Sequence, residues 1–225
     1  MVLYLPVMVT SFTEENYLKA IYSLAHSGKD RVNNQLIAEK LDINPASVTD
    51  MLRKLDEKRM IEYNRSDGAK LTKEGFRFAT KVVRKHRLWE TFLVDRMNFA
   101  WDEVHDVAEQ LEHIQSDKLL NELDKLLGYP KFDPHGDPIP DKNGKLPVVK
   151  GRLLSEVESG RKIKVVNVAD NSPGFLKYLD KQTIGLNDMI TIKEIQDFDQ
   201  SVLVELKGKK EVYLSAEAAK KIFVE

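Results

Sequence analysis

Residues 34–57, NQLIAEKLDINPASVTDMLRKLDE, constrain the fold of this chain more than any other stretch. Leu36, Ile37 and Leu41 recur at helical spacing, and Val48, Met51, Leu52 and Leu55 do so again. Between the two runs, Asp42-Ile43-Asn44 leaves room only for a tight turn. Pro45 suits the first turn of the second helix, where its missing N–H costs nothing. Two short helices joined so tightly form a helix-turn-helix. A third helix precedes them in TEENYLKAIYSLA, with Thr13 as its cap and Tyr17, Leu18, Ile21, Tyr22 and Leu24 as its apolar residues. IEYNRSDGAKLT follows the pair and reads as a hairpin around Asp67-Gly68, a favoured turn dipeptide. The sum is a winged helix-turn-helix, assigned to residues 1–73.

The remaining chain divides by its pattern. Thr72 caps a long helix running to about Met97, Asp102 caps the next, and Ser116 starts one that ends at Gly128 and Pro130. These helices define a helical region over 74–128. Residues 129–150 are rich in Pro, Gly and Asp and read as a linker. From 151 to 225 the pattern turns to β, in KIKVVNV, DMITIKEI, SVLVEL and EVYL, which fits a small barrel or sandwich. The fold class is therefore α+β, and 225 residues suffice for two or three small cores.

The absence of cysteine excludes disulfides and thiolate zinc sites, and it fits a reducing cytoplasm. The apolar opening MVLYLPVMV is too short to span a bilayer and has no basic n-region, so no membrane role is expected. Met8, just ahead of the periodic sequence, is an alternative start. A net charge of −1 conceals an uneven distribution. Residues 29–87 hold 15 Lys and Arg against 9 Asp and Glu, a balance of +6, whereas residues 88–145 hold 6 against 13, a balance of −7. The basic part suits phosphates and the acidic part suits cations.

That acidic part contains HDVAEQLEHIQSD, residues 105–117. Wound as a helix, it gathers His105, Glu109, Glu112 and His113 on one side and Val104, Val107, Ala108, Leu111 and Ile114 on the other. Alone, this is an amphipathic helix whose polar face is either solvated or metal-binding. The preceding helix carries the stripe Phe76, Ala79, Val83, His86, Glu90, Leu93 and Met97. A His and a Glu four residues apart thus interrupt an apolar stripe, where polar groups must find partners. They pair with each other or with nearby cations, or they share a divalent ion with the next helix. Carboxylate and imidazole without thiolate suit Mn²⁺, Fe²⁺, Co²⁺, Ni²⁺ or Zn²⁺.

The order of features, a winged helix-turn-helix followed by RKHRLWE, HDVAEQLEHIQSD, DPHGDPIP and a small β module, resembles the DtxR/MntR family of metal-dependent bacterial transcriptional repressors. The resemblance covers nearly the whole chain and implies an SH3-like, FeoA-type barrel for the β module. It also implies two metal sites. Glu109, Glu112 and His113 match the primary site, with Asn16 of the first helix at its fourth position. His86, Glu90 and His105 match the ancillary site, with Asp170 as the candidate acid from the β module. Glu109 leans toward Mn²⁺, where iron-sensing members often carry Cys, and Asn16 matches neither the Met nor the Asp usual there. Lys19 stands where two-domain manganese members carry a second acid, and an ammonium cannot ligate.

The expected function is that of a homodimeric repressor of metal-uptake genes, loaded with Mn²⁺ or Fe²⁺ and bound to palindromic operator DNA. Helix 45–57 is the recognition helix, with Pro45, Ala46, Ser47 and Thr49 toward base edges. Arg53, Lys54, Arg65 and Lys70 are the phosphate candidates. Two rival readings stand beside it. A metallohydrolase has no HExxH, P-loop or nucleophile motif to support it. A winged-helix regulator of a non-metal ligand would need a pocket in the β module.

Overall fold

A computed structural model describes residues 11–26, 28 and 30–225; the alternative start, Met8, lies outside them. Contacts within the chain gather it into two units. The first takes the chain up to Lys85 together with Glu112–Gln115 and Pro140–Lys145. The second takes His86–Leu111, Ser116–Ile139 and Leu146–Glu225.

In the first unit, α1 (Phe12–His26), α2 (Asn34–Leu41) and α3 (Pro45–Glu57) precede a hairpin of β1 (Ile61–Asn64) and β2 (Gly68–Leu71). The cap of α1 is Ser11 and not Thr13. Ser11 Oγ accepts from the Glu14 amide at 3.3 Å while Glu14 Oε2 accepts from the Ser11 amide at 3.1 Å, a reciprocal capping box. The α2–α3 turn hinges on Asp42, whose φ of 52° closes α2, and Pro45 opens α3. Leu18, Ile21, Ile37, Val48, Leu52 and Leu55 are fully buried between the three helices. The hairpin runs antiparallel from Ile61 opposite Leu71 to Asn64 opposite Gly68, and Val32 adds a bridge to Ala69. This is the three-helix-plus-wing arrangement that the sequence predicts.

Thr72 caps α4 (Lys73–Met97) through the amide of Gly75, as expected. The stretch 105–117 departs from expectation. Only His105–Leu111 winds as α5, so Glu112 and His113 lie in the turn beyond it, and Asp102 stands three residues ahead of its start. Ser116 caps α6 (Asp117–Leu126). In the second unit Leu88, Leu120, Leu123 and Ile139 form a small core with Trp89, Phe92 and Leu127 against it.

The β module is one antiparallel sheet of six strands in the order β3-β8-β4-β5-β6-β7, with β3 (Arg152–Leu153) and β7 (Glu211–Leu214) at its edges. Between them lie β8 (Ile222–Val224), β4 (Lys162–Val168), β5 (Met189–Ile195) and β6 (Val202–Glu205). The closed barrel expected from the resemblance is therefore an open sheet among the described residues, since β3 and β7 are not paired. Register shifts at Val165/Asn167 and Ile192/Glu194 mark where the sheet bends. Helix α7 (Pro173–Gln182) and the short α8 (Ala216–Ala219) pack Leu176, Leu179 and Ala219 into its core. The sequence reading passes over all three: α8 and β8 are too short for alternation and helical spacing to differ, and α7, at ten residues, follows a turn-rich NSPG stretch that reads as loop.

The Pro/Gly/Asp segment is no loose tether. Asp133 Oδ1 accepts from the amides of His135 and Asp137, and Phe132 bridges to Pro138. Gly136 turns with φ +89°, and a Cβ there would stand 2.2 Å from Val166 O. Only glycine meets both demands. Gly136→Ala is expected to lower the melting temperature by several degrees, since the left-handed backbone alone costs about 1–2 kcal/mol before the overlap is relieved. A thermal melt of the variant checks this.

Candidate metal centre

The first unit gathers six polar residues around the N-terminal half of α1. Glu15 is fully buried and receives two side chains from the segment after α5: His113 Nδ1 at 2.7 Å and Gln115 Nε2 at 2.6 Å. A carboxylate only accepts, so Nδ1 is the donor of this bond, and in the neutral form of the ring Nε2 holds the lone pair. Phe12 stacks on the same ring at 4.6 Å and fixes its plane. Glu112, also fully buried, presents Oε1 3.9 Å from that Nε2. Glu112 is bound through both oxygens by Lys19 Nζ, each at 2.8 Å. On α1, Asn16 Oδ1 is buried and has no hydrogen-bond partner. The second imidazole nitrogen, a buried carboxylate and an orphaned amide oxygen are donor types that suit a divalent cation. The carboxylate behind the imidazole is the support that metal-ligating histidines use.

The second unit holds the other cluster. His86 and Glu90 face each other one turn apart on α4, Nε2 to Oε1 at 2.9 Å. His105 at the start of α5 brings Nδ1 to 3.6 Å from the same oxygen, and its ring meets that of His86 edge-on at 5.0 Å. Glu109 Oε1 lies 3.7 Å from His86 Nδ1 and 3.5 Å from His105 Nε2. The structure thus places Glu109, expected in the primary set, against the two histidines of the ancillary set. His86, Glu90 and His105 stand close enough to share one ion.

A second group there, Glu90 with Asp133 and His135, was missed by sequence reasoning. The only signal was a His and an Asp inside a turn-rich segment, a context that usually means solvent. Both are buried instead. His135 Nε2 donates to Trp101 O at 2.8 Å, and its Nδ1 faces Glu90 Oε2 at 3.7 Å and Asp133 Oδ1 at 3.9 Å. Burial works against the charged imidazole, but the two carboxylates and the Trp101 carbonyl outweigh it and push His135 up to about 9. Burial drives Asp133 up to about 7, helped by Glu90 and Asp137 and opposed by Arg87 and His135. Burial also resists ionisation of Glu90, yet His86, His105 and His135 hold it well below the carboxylate range. Asp170 is not brought to this cluster. It accepts from the Ser172 amide at 2.9 Å and pairs with Lys221 at 2.7 Å.

On the recognition helix, Pro45, Ala46 and Ser47 are exposed at its N-terminus, and Ser47 Oγ donates to Asn44 O. Thr49 is half-buried and accepts from Asn34. Arg53 projects outward 3.7 Å from Asp50, Arg65 is exposed in the hairpin turn, and Lys70 pairs with Asp30 at 2.6 Å. Lys54 and Lys58 close on the buried Glu14 at 2.9 and 2.7 Å. Burial opposes ionisation of Glu14, and the bonds from Lys58, Lys54 and Ser11 overcome it, lowering its pKa. Glu14 thereby pins α3 to α1.

With this geometry in hand, the comparisons with known proteins are decisive. Residues 9–69 match the N-terminal DNA-binding domain of the iron-dependent repressors, residues 72–141 their metal-binding and dimerisation domain, and residues 152–225 the FeoA domain. The chain belongs to the DtxR/MntR family of metal-dependent repressors. It is 34% identical over 128 residues to the diphtheria toxin repressor of Corynebacterium jeikeium, over 57% of this chain and 53% of that protein. It is 35% identical over 120 residues to the transcriptional regulator MntR of Oceanobacillus iheyensis, over 53% of this chain and 80% of that one. The matched part therefore spans about half the length of the diphtheria toxin repressor. Among solved structures, a manganese-dependent transcriptional repressor in complex with manganese superposes with a TM-score of 0.86 at 35% identity, over 94% of this chain and 99% of that one. Among the described residues, no helix is long and apolar enough to cross a membrane.

The support that Glu15 gives His113 has a measurable consequence. Glu15→Gln is expected to weaken Mn²⁺ binding by about tenfold or more, as loss of a carboxylate behind a ligating histidine does. Isothermal titration of the EDTA-stripped variant against the parent chain measures it.

Proposed function

We propose that this chain is a metal-dependent transcriptional repressor that binds operator DNA as a homodimer when loaded with Mn²⁺ or Fe²⁺. The observation that carries the reading is the donor set on α1 and after α5. Asn16 Oδ1 is orphaned, His113 is held through Nδ1 by Glu15 with Nε2 turned to Glu112, and Glu112 is buried beside it. These three residues are the proposed primary ligands. His86, Glu90 and His105, with Glu109 beside them, are the proposed second site. A bound divalent cation supplies positive charge and coordination bonds to oxygen and nitrogen donors. Zn²⁺, Co²⁺ and Ni²⁺ are accepted by such donors as well, so the selection of metal rests on availability as much as on geometry.

The protein's own residues do the rest. Asn16 belongs to the same helix whose Glu14 pins the recognition helix. Glu112 and His113 belong to a segment that leaves α5 and is held on α1 by Glu15 and Lys19. Coordination by residues of both segments favours whichever conformation of the chain brings the ligands together best, in proportion to its differential affinity. In that conformation Pro45, Ala46, Ser47 and Thr49 read the major groove, and Arg53 and Arg65 meet phosphates. Lys54 and Lys70 reach phosphate only by giving up Glu14 and Asp30. For the homodimer, α6 offers Leu119 and Leu126, two turns apart and 40% and 57% exposed, with Tyr129 at 64% beyond them. Apolar side chains exposed on one helix face suit a twofold interface.

Fluorescence anisotropy of a labelled duplex, taken from upstream of a metal-transporter gene of the same genome, tests the reading at fixed salt. Binding is expected with Mn²⁺ or Fe²⁺ and not with EDTA. Replacing Glu112 and His113 together by Ala should abolish the metal response. Equal binding in EDTA would refute the metal dependence, and an organic effector acting through the β module would then have to be sought. For the dimer, Leu126→Glu is expected to shift sedimentation velocity profiles toward monomer at micromolar protein.

A further inference from the structure

We infer that Lys19 is a built-in counter-ion for Glu112, one that a divalent metal has to displace, and that it sets the metal concentration at which the first site fills. The inference rests on the reading of Glu112 and His113 as metal ligands. Its ground is the Lys19–Glu112 contact, which that reading uses only to hold the segment on α1. Lys19 Nζ stands 2.8 Å from both oxygens of Glu112. The Glu112 side chain is wholly buried and that of Lys19 is 20% exposed. Lys19 lies one turn beyond Glu15 and three residues beyond Asn16, so α1 presents the histidine's supporting carboxylate, the amide ligand and the ammonium on neighbouring positions.

The physical argument concerns two cations and one carboxylate. A buried carboxylate without a counter-charge is costly, and Lys19 removes that cost in the metal-free chain. Two charge-assisted hydrogen bonds are strong contacts, and they take one lone-pair site on each oxygen of the carboxylate. An ammonium has no lone pair and cannot join the coordination shell. A divalent ion held by Glu112 and His113 would repel an ammonium on the same carboxylate in a site that water screens poorly. Lys19 therefore has to leave as metal enters. Its flexible four-carbon stem and partial exposure give it a route to solvent. The metal replaces one positive charge with two, and affinity falls by the cost of breaking the bridge. A lysine that merely oriented Glu112 for the metal would predict the opposite sign, because its removal would weaken binding.

The test uses the full chain, stripped with EDTA, and Mn²⁺ itself as probe. Free Mn²⁺ is read from the six-line electron paramagnetic resonance signal of the hydrated ion during titration. Lys19→Met and Lys19→Gln are expected to tighten binding at one site by tenfold or more. Lys19→Arg keeps the charge and is expected to stay close to the parent. The melting temperature of the metal-free Met and Gln variants should fall, and saturating Mn²⁺ should close most of the gap. Unchanged or weaker Mn²⁺ affinity in folded Lys19→Met and Lys19→Gln would overturn the inference. Glu112→Gln, titrated alongside, separates the two levels of argument. If it loses one Mn²⁺ equivalent while the Lys19 variants gain nothing, the counter-ion idea alone fails. If it binds as the parent does, the ligand reading fails and the counter-ion idea fails with it.

Discussion

A carboxylate taken out of water has to meet a cation, a proton or a ring of donors. Glu14, Glu15, Glu90, Glu112 and Asp133 are all buried, and much of the architecture answers that demand. Glu14 draws Lys54 of α3 and Lys58 just beyond it onto α1. Glu15 draws His113 and Gln115, and Glu112 draws Lys19, so the segment after α5 is fastened at three points. Glu90 collects three histidines from three separate stretches of chain. Asp133 resolves its position differently: two backbone amides and Arg87 surround it, and its affinity for a proton rises to about 7.

These solutions are not equally firm. The Glu14 clamp uses lysines that are 52% and 28% exposed, so water shares the load and screens the attraction. It fixes the recognition helix without committing much energy to any one pair. The carboxylates of Glu90 and Glu112 are as buried, but the groups that face them are imidazoles and a single lysine. Imidazole and carboxylate both serve as metal ligands, whereas lysine and arginine ammonium and guanidinium groups do not. The choice of counter-charge therefore separates the carboxylates that hold the fold from those available to a metal. By that measure Glu14 is structural and Glu90 is open to metal. Glu112 is the intermediate case, with histidine on one side and lysine on the other.

Much of this was legible in the sequence, and the reasons for the rest are physical. The helix-turn-helix could be read because its stripes, its Asp42 turn and Pro45 all point the same way. The His86–Glu90 interruption of an apolar stripe announced a partnered polar cluster, and the structure supplies His105, Glu109 and His135. Glu14 and Glu15 were hidden for a general reason. Acids in the first turn of a helix are favoured by the dipole and by solvent alike, so their presence does not signal burial. His135 and Asp133 were hidden by their neighbours, since Pro, Gly and Asp around them signal a turn whether or not the turn is buried. The open sheet in place of a barrel was beyond reach, because strand alternation fixes which face is buried but not whether the edge strands meet.

The donor chemistry narrows the metal further than the family resemblance does. Neither cluster can contain a thiolate, since the chain has no cysteine. Soft ions thus lose the thiolate bonds that would select them, and harder divalent ions compete on nearly even terms. In the first cluster one of three donors is a neutral amide, which lowers the total negative charge facing the ion. The bridge from Lys19 has also to be broken before Glu112 can ligate. Under the proposed function, a site so poorly supplied with charge would fill with a weakly bound ion such as Mn²⁺ only when that ion is abundant, as a sensor requires and a protein that stores or scavenges metal does not.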